Sequence, residues 1–526
     1  MKKLSLLPFL LLALSAPAWP APPAKFDARV ERLRQQTGVP GMAIAIVEQG
    51  KTTLAHGYGV RQLGAPAAVD ADTLFPIGST TKAFTSAALA TLVDAGKIGW
   101  DDHVVDLLPG FQMYDAWVTR EMTVRDLLVH RGGLGYGAGD LLFVPRSNLS
   151  RAETVKRLRF LKPASSFRSE FAYSNIPYVV AGQLIEAVSG ETWEEYVRKH
   201  VLLPAGMSVT TTDNERNFAT ADRAYPHARM NGGLRGAGDQ ERLDERDDLG
   251  RNAAPAGGIA SSANDLAKWL QIWLGEGVAP GGQRVFSAAA RAQLWKPTMA
   301  MPASTMPAEL KPLESRFSNY ALGWDVVDYR GHRIIWHGGA VLGFKTAVVV
   351  LPEQQVGFAI TINSEDGEII RGLMYELMDH YLGLPANDWP AKFRNYRSQQ
   401  VAEGLQMLKA AQSTPAKVGP SVRPAALAGV YADPWYGKIE IADTAGGLSI
   451  DFKTAPRMSG KLEHWQYDTF ITRLDDKTIE PAYVTFALDP DGKVANVTMK
   501  AVSPIADFSW DYKDLNFTPV PVKETK

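Results

Sequence analysis

Ser79 and Lys82 have the residue types and the spacing that a nucleophilic serine and its activating base require. Residues three apart on a helix lie on one face, so the hydroxyl and the amine become neighbours if this segment is helical. A serine in the first turn also lies near unpaired backbone N–H groups, which stabilise negative charge. In an apolar pocket the ammonium form of a lysine is disfavoured, and its lowered pKa lets it take the serine proton. The alternative is an ordinary helix start with a solvent-exposed lysine, although this Ser-x-x-Lys sequence is the only one in the chain.

A second polar group, Tyr173-Ser174-Asn175, precedes a predicted helix. A tyrosine beside a lysine can relay protons or ionise more readily. An asparagine side chain offers both a donor and an acceptor, which suits it to hold a substrate amide or the lysine. A core tyrosine followed by an asparagine at a helix start is the structural alternative for this segment.

A third group, His337-Gly338-Gly339, follows a predicted strand. Two glycines allow a ligand to approach the backbone closely. The next N–H, on Ala340, could complete an oxyanion hole with the N–H of Ser79. The alternatives are a packed histidine at the end of a strand and glycines in a plain turn.

The hydrophobic pattern places these groups on the elements of an α+β fold. A hairpin comes first, helices fill the middle of the chain, and strands with a closing helix follow, which is typical of a sheet built from both chain ends around a helical insert. The predicted strands are Gly41–Glu48, Thr52–Gly59, Gly323–Tyr329, His332–Trp336, Phe344–Leu351 and Val356–Asn363, and the predicted helices are Ser79–Ala95, Thr123–His130, Pro177–Ser189, Ser262–Trp273 and Glu368–Leu382.

The texture of the sequence changes towards the C-terminus. Residues 385–422 combine a polar helical stretch with a Pro/Ser/Lys-rich stretch and are predicted to be a linker. Residues 423–519 form short alternating runs separated by turn signals, which predict a small antiparallel β-domain. Residues 26–384 are then the main domain.

The N-terminus and the composition indicate the compartment. Residues 1–18 show a positive start, a Leu-rich apolar run and small residues before a cleavage point, the pattern of a secretory signal peptide. The chain contains no cysteine, which excludes disulfides and thiol catalysis and fits an extracellular space or a bacterial periplasm, the location we predict. No later apolar stretch is long enough for a membrane span.

Charge and motifs exclude several function classes. The chain has 56 basic and 57 acidic residues, which argues against a nucleic-acid partner. It contains no P-loop, no His-Glu-x-x-His zinc motif and no Gly-x-Ser-x-Gly elbow. We therefore predict no cofactor, no metal and a small-molecule substrate.

The three motifs, in this order and at these separations, resemble those of the serine β-lactamase and penicillin-binding superfamily. Residues 126–134 and 256–262 are similar to the class C β-lactamase branch, with its esterases, D-aminopeptidases and related CubicO-type serine hydrolases. The resemblance covers about residues 26–384 and implies a β-lactamase/transpeptidase-like fold, an antiparallel sheet flanked by helices with a mostly helical insert. Residues 423–519 resemble the lipocalin-like domain of some of these peptidases, which implies a small antiparallel β-barrel-like domain.

The resemblance also implies roles for individual residues. Ser79 would be the acylated nucleophile, Lys82 its activating neighbour and Tyr173 the general base or proton shuttle. Asn175 would orient the substrate and the lysine, and the N–H groups of Ser79 and Ala340 would form the oxyanion hole.

The third motif is His337-Gly338-Gly339 in this chain, whereas the β-lactamases have Lys-Thr-Gly. His337 therefore stands where they have a lysine. A lysine there is a permanent cation that can steer a β-lactam carboxylate, whereas a histidine is mostly neutral above pH 7. His-Gly versions of this motif look like the peptidase and esterase members.

The sequence thus leads to a secreted serine hydrolase that cleaves small peptides, including peptides with D-residues, or carboxylic esters. A class C-like β-lactamase is one alternative, and a penicillin-binding-type sensor with little turnover is another. The aromatic residues of the C-terminal domain are predicted mainly as barrel core, with the alternative that they cover the mouth of the site; these are Tyr431, Trp435, Tyr436, Trp465 and Tyr467.

Overall fold

The computed structural model of the protein describes residues 21–245, 249–303, 305–412 and 418–521. The predicted signal peptide, residues 1–18, lies outside these described residues. Within them, an eight-stranded antiparallel sheet with its helices (the body) is followed by a closed barrel of eight antiparallel strands (the barrel). No helix in these ranges is long and apolar enough to cross a membrane.

The strands are numbered in chain order. Those of the body are β1 Gly41–Glu48, β2 Lys51–Gly59, β3 Phe75–Pro76, β4 His227–Asn231, β5 Gly238–Arg242, β6 Ala260–Ser261, β7 Met299–Ala300, β8 Ser318–Tyr320, β9 Asp325–Tyr329, β10 His332–Val341, β11 Phe344–Leu351 and β12 Val356–Ile362. Those of the barrel are β13 Gly429–Asp433, β14 Gly437–Thr444, β15 Gly447–Phe452, β16 Ser459–Gln466, β17 Thr469–Leu474, β18 Ala482–Leu488, β19 Val494–Ala501 and β20 Asn516–Pro519.

The helices cover both faces of the sheet and form the insert. They are α1 Phe26–Thr37, α2 Thr81–Asp94, α3 Val104–Leu107, α4 Ala116–Glu121, α5 Val124–Leu127, α6 Arg151–Arg157, α7 Ile176–Ser189, α8 Trp193–Val197, α9 Leu203–Ala205, α10 Asn214–Ala219, α11 Ala254–Gly257, α12 Ala263–Leu274, α13 Ala288–Leu294, α14 Gly367–Tyr381 and α15 Trp389–Gln412.

Strand β1 shows why the sheet needs helices on both sides. The sheet has the strand order β2-β1-β12-β11-β10-β9-β8-β7, and every residue of β1 is buried. Ala43 and Ala45 join the apolar cluster that contains α2, α7 and α12, whereas Ile44 and Ile46 join the cluster that contains α1 and α14. Because alternate residues of a strand point to opposite faces, a strand with no exposed residue must be covered twice.

Local signals set the ends of two of these helices, α7 and α12. Asn175 is the N-cap residue of α7, Pro177 lies in its first turn, and Gly190 ends it with a φ of 76°. This arrangement follows the preference for proline at helix starts and glycine after helix ends. Ser262 caps α12, its hydroxyl accepting from the N–H of Asp265 at 3.3 Å.

Most predicted elements recur with ends shifted by one or two residues, and strand β10 is the main difference. The sequence predicts a strand ending at Trp336, but β10 continues to Val341. Gly338 and Gly339 stay extended and pair with β11 instead of forming a turn. The glycines therefore lie in the strand itself, which brings its C-terminal half against the start of α2.

The barrel packs directly on the body. Many of its interior residues belong to the same apolar cluster as helices α2, α7 and α12 of the body. Arg157 Nη1 donates to the carbonyl of Trp435 at 2.9 Å, and the N–H of Asn148 donates to the carbonyl of Thr454 at 3.0 Å. The barrel strands fall within the predicted 423–519 segment, and the predicted 385–422 linker includes the long helix α15.

Candidate active site

Ser79 and Lys82 lie together at the start of α2. Gly78–Thr80 forms a 3₁₀ turn that leads into the helix. Lys82 Nζ is 3.0 Å from Ser79 Oγ, as the spacing of the two residues predicts. Lys82 is fully buried, whereas Ser79 is half-buried and therefore open on one side. A partly accessible hydroxyl thus has a buried amine beside it.

The buried amine of Lys82 is held by two further acceptors. Nζ donates to Asn175 Oδ1 at 2.7 Å and to the carbonyl of Ala256 at 3.0 Å. Burial lowers the pKa of Lys82 to about 7, and the negative charge of Asp140 opposes part of that shift. Because burial disfavours the ammonium form, the amine can lose its proton near neutral pH and then accept one from a hydroxyl.

Tyr173 completes the group around the serine. Its ring centroid lies 4.9 Å from Lys82 Nζ, and its hydroxyl is close enough to Ser79 for that side chain to lower the pKa of the phenol. Burial raises the pKa of Tyr173 well above the usual value for a phenol, and the Ser79 side chain offsets this only in part. A phenol in this setting keeps its proton, so it can pass protons along a hydrogen bond more readily than it can exist as a phenolate.

The segment that carries Tyr173 and Asn175 is fixed from two sides. The Nδ1 atom of His130 accepts from the N–H of Ser174 at 3.2 Å, and its ring lies 4.3 Å from the Tyr173 ring. On the other side, Asn175 Nδ2 donates to Asp140 Oδ2 at 2.9 Å. The amide of Asn175 is therefore oriented with its oxygen towards Lys82 and its nitrogen towards a carboxylate.

His337 is close to the site, but both of its ring nitrogens are occupied. Nδ1 lies 2.6 Å from the carbonyl of Gly338, which can only accept, so Nδ1 carries the proton. In the neutral ring Nε2 then accepts from the hydroxyl of Tyr320 at 2.8 Å. Burial and the charge of Lys82 lower the pKa of His337 to about 3. This histidine is neutral and does not provide the cation that a lysine would.

Gly339 lets β10 pack against the 3₁₀ turn that carries Ser79. A Cβ atom on Gly339 would lie 1.9 Å from the carbonyl oxygen of Ile77 and 3.3 Å from the N atom of Ser79. A Cβ atom on Gly78 would lie 2.5 Å from the N atom of Ala340. The two backbones touch only because neither residue has a side chain, and this contact brings the N–H groups of Ser79 and Ala340 to the same corner of the site.

Several residues around these groups lie outside the predicted set. Ala256 and His130 belong to the stretches that are similar to the class C branch, so a signal existed for both, although it did not indicate their contacts. Asp140 and two residues of the barrel, Phe508 and Ser509, carry no sequence signal for a role here. Within the described residues, no group of His, Asp and Glu side chains is arranged to hold a metal ion.

The barrel aromatics that the sequence suggested as a cover for the site lie elsewhere. Tyr431, Trp435 and Tyr436 are buried, as expected for barrel core, and Tyr467 is 60% exposed. Trp465 is half-buried and packs on another barrel ring. The barrel residue whose ring meets the site is Phe508, at 5.7 Å from the Tyr173 ring and 4.9 Å from the Tyr136 ring.

The chain is similar over most of its length to two known proteins. The chain is 29% identical over 502 residues to an unguisins hydrolase of Aspergillus violaceofuscus, an alignment that covers 89% of this chain and 86% of the relative. It is 29% identical over 364 residues to penicillin-binding protein 4 of Amycolatopsis lactamdurans, covering 68% of this chain and 89% of that protein.

Solved structures show the same architecture. The octameric penicillin-binding protein homologue from Pyrococcus abyssi superposes with a TM-score of 0.60 at 21% identity, covering 91% of this chain and 98% of the other. The structure of SurE gives a TM-score of 0.52 at 20% identity, covering 94% of this chain and 99% of the other. These likenesses confirm the predicted β-lactamase/transpeptidase-like fold.

Two sequence families divide the chain between them. Residues 414–519 match a domain of unknown function, DUF3471. Residues 26–372, well over half of the 526 residues, match the Beta-lactamase family model and contain all three predicted motifs. The chain therefore belongs to the beta-lactamase family, within the serine β-lactamase and penicillin-binding superfamily.

Proposed function

We propose that the protein is a serine hydrolase that acts through an acyl-enzyme on Ser79. The observation that carries this proposal is the 3.0 Å contact between Ser79 Oγ and the buried Nζ of Lys82, whose pKa burial lowers to about 7. A hydroxyl beside a neutral amine in a dry pocket is an activated nucleophile. The unguisins hydrolase relative, named for hydrolysis, supports the same reaction class.

The acylation step follows from these contacts. Ser79 Oγ attacks the substrate carbonyl carbon while its proton moves to the neutral amine of Lys82. The N–H groups of Ser79 and Ala340 stabilise the negative oxygen of the tetrahedral intermediate. As the bond to the leaving group breaks, the Tyr173 hydroxyl passes a proton to the departing oxygen or nitrogen and is reprotonated from Lys82, which returns that amine to its neutral form.

Deacylation repeats this route with water as the nucleophile. A water molecule attacks the acyl carbon and gives its proton to the Tyr173–Lys82 pair. The serine oxygen takes the proton back as the acid product leaves. Asn175 keeps Lys82 in place throughout, since its Oδ1 accepts from Nζ at 2.7 Å.

For the substrate we propose a small peptide, including peptides with D-residues, or a carboxylic ester. The neutral His337 supports this choice over a β-lactam, because it supplies no cation for the carboxylate of an antibiotic. Tyr136 and Phe508 border the site with rings that are 49% and 38% exposed, and these suit an apolar group on the substrate. We also propose that the protein is secreted, on the strength of residues 1–18.

A penicillin-binding-type acceptor with little turnover is the second candidate. It is favoured by the 29% identity to penicillin-binding protein 4 over 364 residues. Both candidates form an acyl-enzyme, so they differ only in the rate at which water releases it.

The first test is intact-protein mass spectrometry after treatment with a fluorophosphonate. We expect one adduct on the wild-type protein and none on Ser79→Ala. The matched control is Ser86→Ala, because Ser86 is a buried serine of the same helix and the Ser79–Lys82 contact does not involve it. If folded wild-type protein gave no adduct, or if Ser79→Ala kept one, the proposal would be wrong.

Substrate turnover then separates the two candidates. With a simple aryl ester, a hydrolase releases many equivalents of product per protein molecule. An acceptor releases about one equivalent and then stops, with the acyl group still visible by mass.

A further inference from the structure

The loop of residues 502–511, between β19 and the last strand of the barrel, reaches into the catalytic site. Its Asp511 accepts from the N–H of Gly139 at 2.8 Å through Oδ2. Its Phe508 packs against the turn at Gly137, where an added Cβ atom would lie 2.5 Å from the carbonyl oxygen of Phe508. The loop is therefore seated on the segment that leads directly to Asp140.

Asp140 is the buried carboxylate at which this loop and the catalytic group meet. Its Oδ2 atom accepts from Asn175 Nδ2 at 2.9 Å and from the hydroxyl of Ser509 at 2.9 Å. The residue is fully buried, and its Oδ1 atom has no hydrogen-bond partner within the described part of the chain. A buried carboxylate with so few donors depends strongly on each of them.

Asn175 connects Asp140 to Lys82, which in turn contacts Ser79. Its Nδ2 faces Asp140, which leaves its Oδ1 facing Lys82 Nζ at 2.7 Å. If the carboxylate moved or lost its charge, the amide could turn over and present an N–H group to the lysine. The order of contacts is therefore Ser509, Asp140, Asn175, Lys82 and Ser79.

We propose that Ser509 of the barrel is a positioning residue of the active site: its hydroxyl holds the Asp140 carboxylate, which orients Asn175 and so keeps Lys82 against Ser79. This inference rests on the serine hydrolase function proposed above. It gives the barrel a defined part in catalysis, since a side chain 369 residues away from Asp140 in the sequence completes its hydrogen bonds.

The charges around these contacts determine whether loss of the Ser509 hydroxyl raises or lowers the pKa of Lys82. Lys82 faces Asp140, His130, His337, Tyr173 and Tyr178. Burial lowers the pKa values of both histidines, and burial raises those of both tyrosines. All four are therefore neutral around pH 7, and Asp140, in its ionised form, is the group that places a negative charge beside the lysine.

The carboxylate itself responds to three other groups of the site and the loop. Burial raises the pKa of Asp140 to about 7, the bonds from Asn175 and Ser509 lower it, and the nearby charge of Asp507 raises it. Asp511, which binds the neighbouring Gly139, is a further acidic group of the loop. Loss of the Ser509 hydroxyl thus raises the pKa of Asp140, which withdraws negative charge from Lys82 and lowers the pKa of that lysine in turn.

The test compares full-length Ser509→Ala with wild-type protein. The readout is the second-order rate of fluorophosphonate labelling from pH 5 to 9. We expect the plateau rate to fall about tenfold, because the carboxylate loses a donor to a charged group. We also expect the acidic limb to move to lower pH by about half a unit or more, a shift that a merely structural serine would not cause.

Two further variants make the test specific. Ser509→Thr keeps a hydroxyl, and we expect it to restore most of the rate and the wild-type pH profile. Ser503→Ala removes another loop serine, whose Oγ accepts from the N–H of Ile505 at 3.3 Å, and we expect it to leave the profile in place. If Ser509→Ala kept the wild-type rate and profile, or if Ser503→Ala changed them equally, the inference would be overturned. A wild-type protein without any adduct would instead refute the hydrolase proposal itself.

Discussion

The body and the barrel each bury aspartates, and Asp140 of the body differs from Asp433 of the barrel in what surrounds it. Asp433 accepts from the backbone N–H groups of Trp435 at 2.9 Å, Tyr436 at 3.1 Å and Asn516 at 3.0 Å. Asp140 accepts only from two side chains, and one of its oxygens has no partner within the described residues.

This difference separates the structural role of Asp433 from the positioning role proposed for Asp140. Backbone donors are fixed by the fold, so Asp433 ties the β13–β14 turn to the last strand and has no further degree of freedom. Side-chain donors can move, and the contacts of Asp140 pass on to the lysine and the serine. An incompletely satisfied buried group stores a cost that a protein keeps where function requires it.

The same substitution at both sites gives the largest contrast. For Asp140→Asn we expect fluorophosphonate labelling to fall about a hundredfold, because the new amide has an N–H group facing Asn175 or Ser509 and the orientation of Asn175 is lost. The unfolding free energy should change little, since the change also removes a poorly paired buried charge.

For Asp433→Asn we expect the reverse. The amide cannot accept from all three N–H groups, so the unfolding free energy should fall by about 1–3 kcal/mol. Labelling per folded molecule should stay close to the wild-type rate. Denaturant unfolding and labelling kinetics of the two proteins measure both quantities, and similar behaviour of the two variants would remove the distinction.

The pH dependence of acylation tests the body on its own. Burial lowers the pKa of Lys82 to about 7, so the amine is neutral above that pH and protonated below it. Only the neutral amine accepts the serine proton. We therefore expect the labelling rate to fall about tenfold per pH unit below 7 and to level off above it. A flat profile between pH 5 and 9 would show that Lys82 is not the base.

The sequence predicts the two regions of the site unequally well. Ser79 and Lys82 are three residues apart, and helical periodicity alone predicts their contact. The resemblance to the superfamily, and no local pattern, places Tyr173 and Asn175 beside Ser79 and Lys82. Lys82 and Asn175, for example, are 93 positions apart in the sequence. The α+β fold and the antiparallel β-domain at the C-terminus follow from hydrophobic periodicities and turn signals, whereas the barrel form of that domain comes from the resemblance.

The contacts made by Asp140 and Ser509 could not be predicted in this way. They depend on how the barrel docks on the body, and neither residue stands in a motif. The extension of β10 is a related case, because Gly338 and Gly339 are typical of a turn in isolation. The close approach of Ile77 and Ser79 gives these glycines their place in a strand, and only tertiary structure supplies that contact.

The smallest expected effect concerns the rim of the barrel, where Phe508 meets Tyr136 and Tyr173. For Phe508→Ala we expect the preference for an aryl-acyl ester over an acetyl ester, as the ratio of kcat/KM values, to fall about three- to tenfold. An aromatic contact of this kind contributes about 1 kcal/mol. Tyr467→Ala is the matched control, because Tyr467 is an exposed barrel aromatic, 60% accessible, and its ratio should not change. An unchanged ratio in Phe508→Ala would mean that the barrel contributes to the site only through Ser509, and an equal loss in both variants would place the effect in the barrel as a whole.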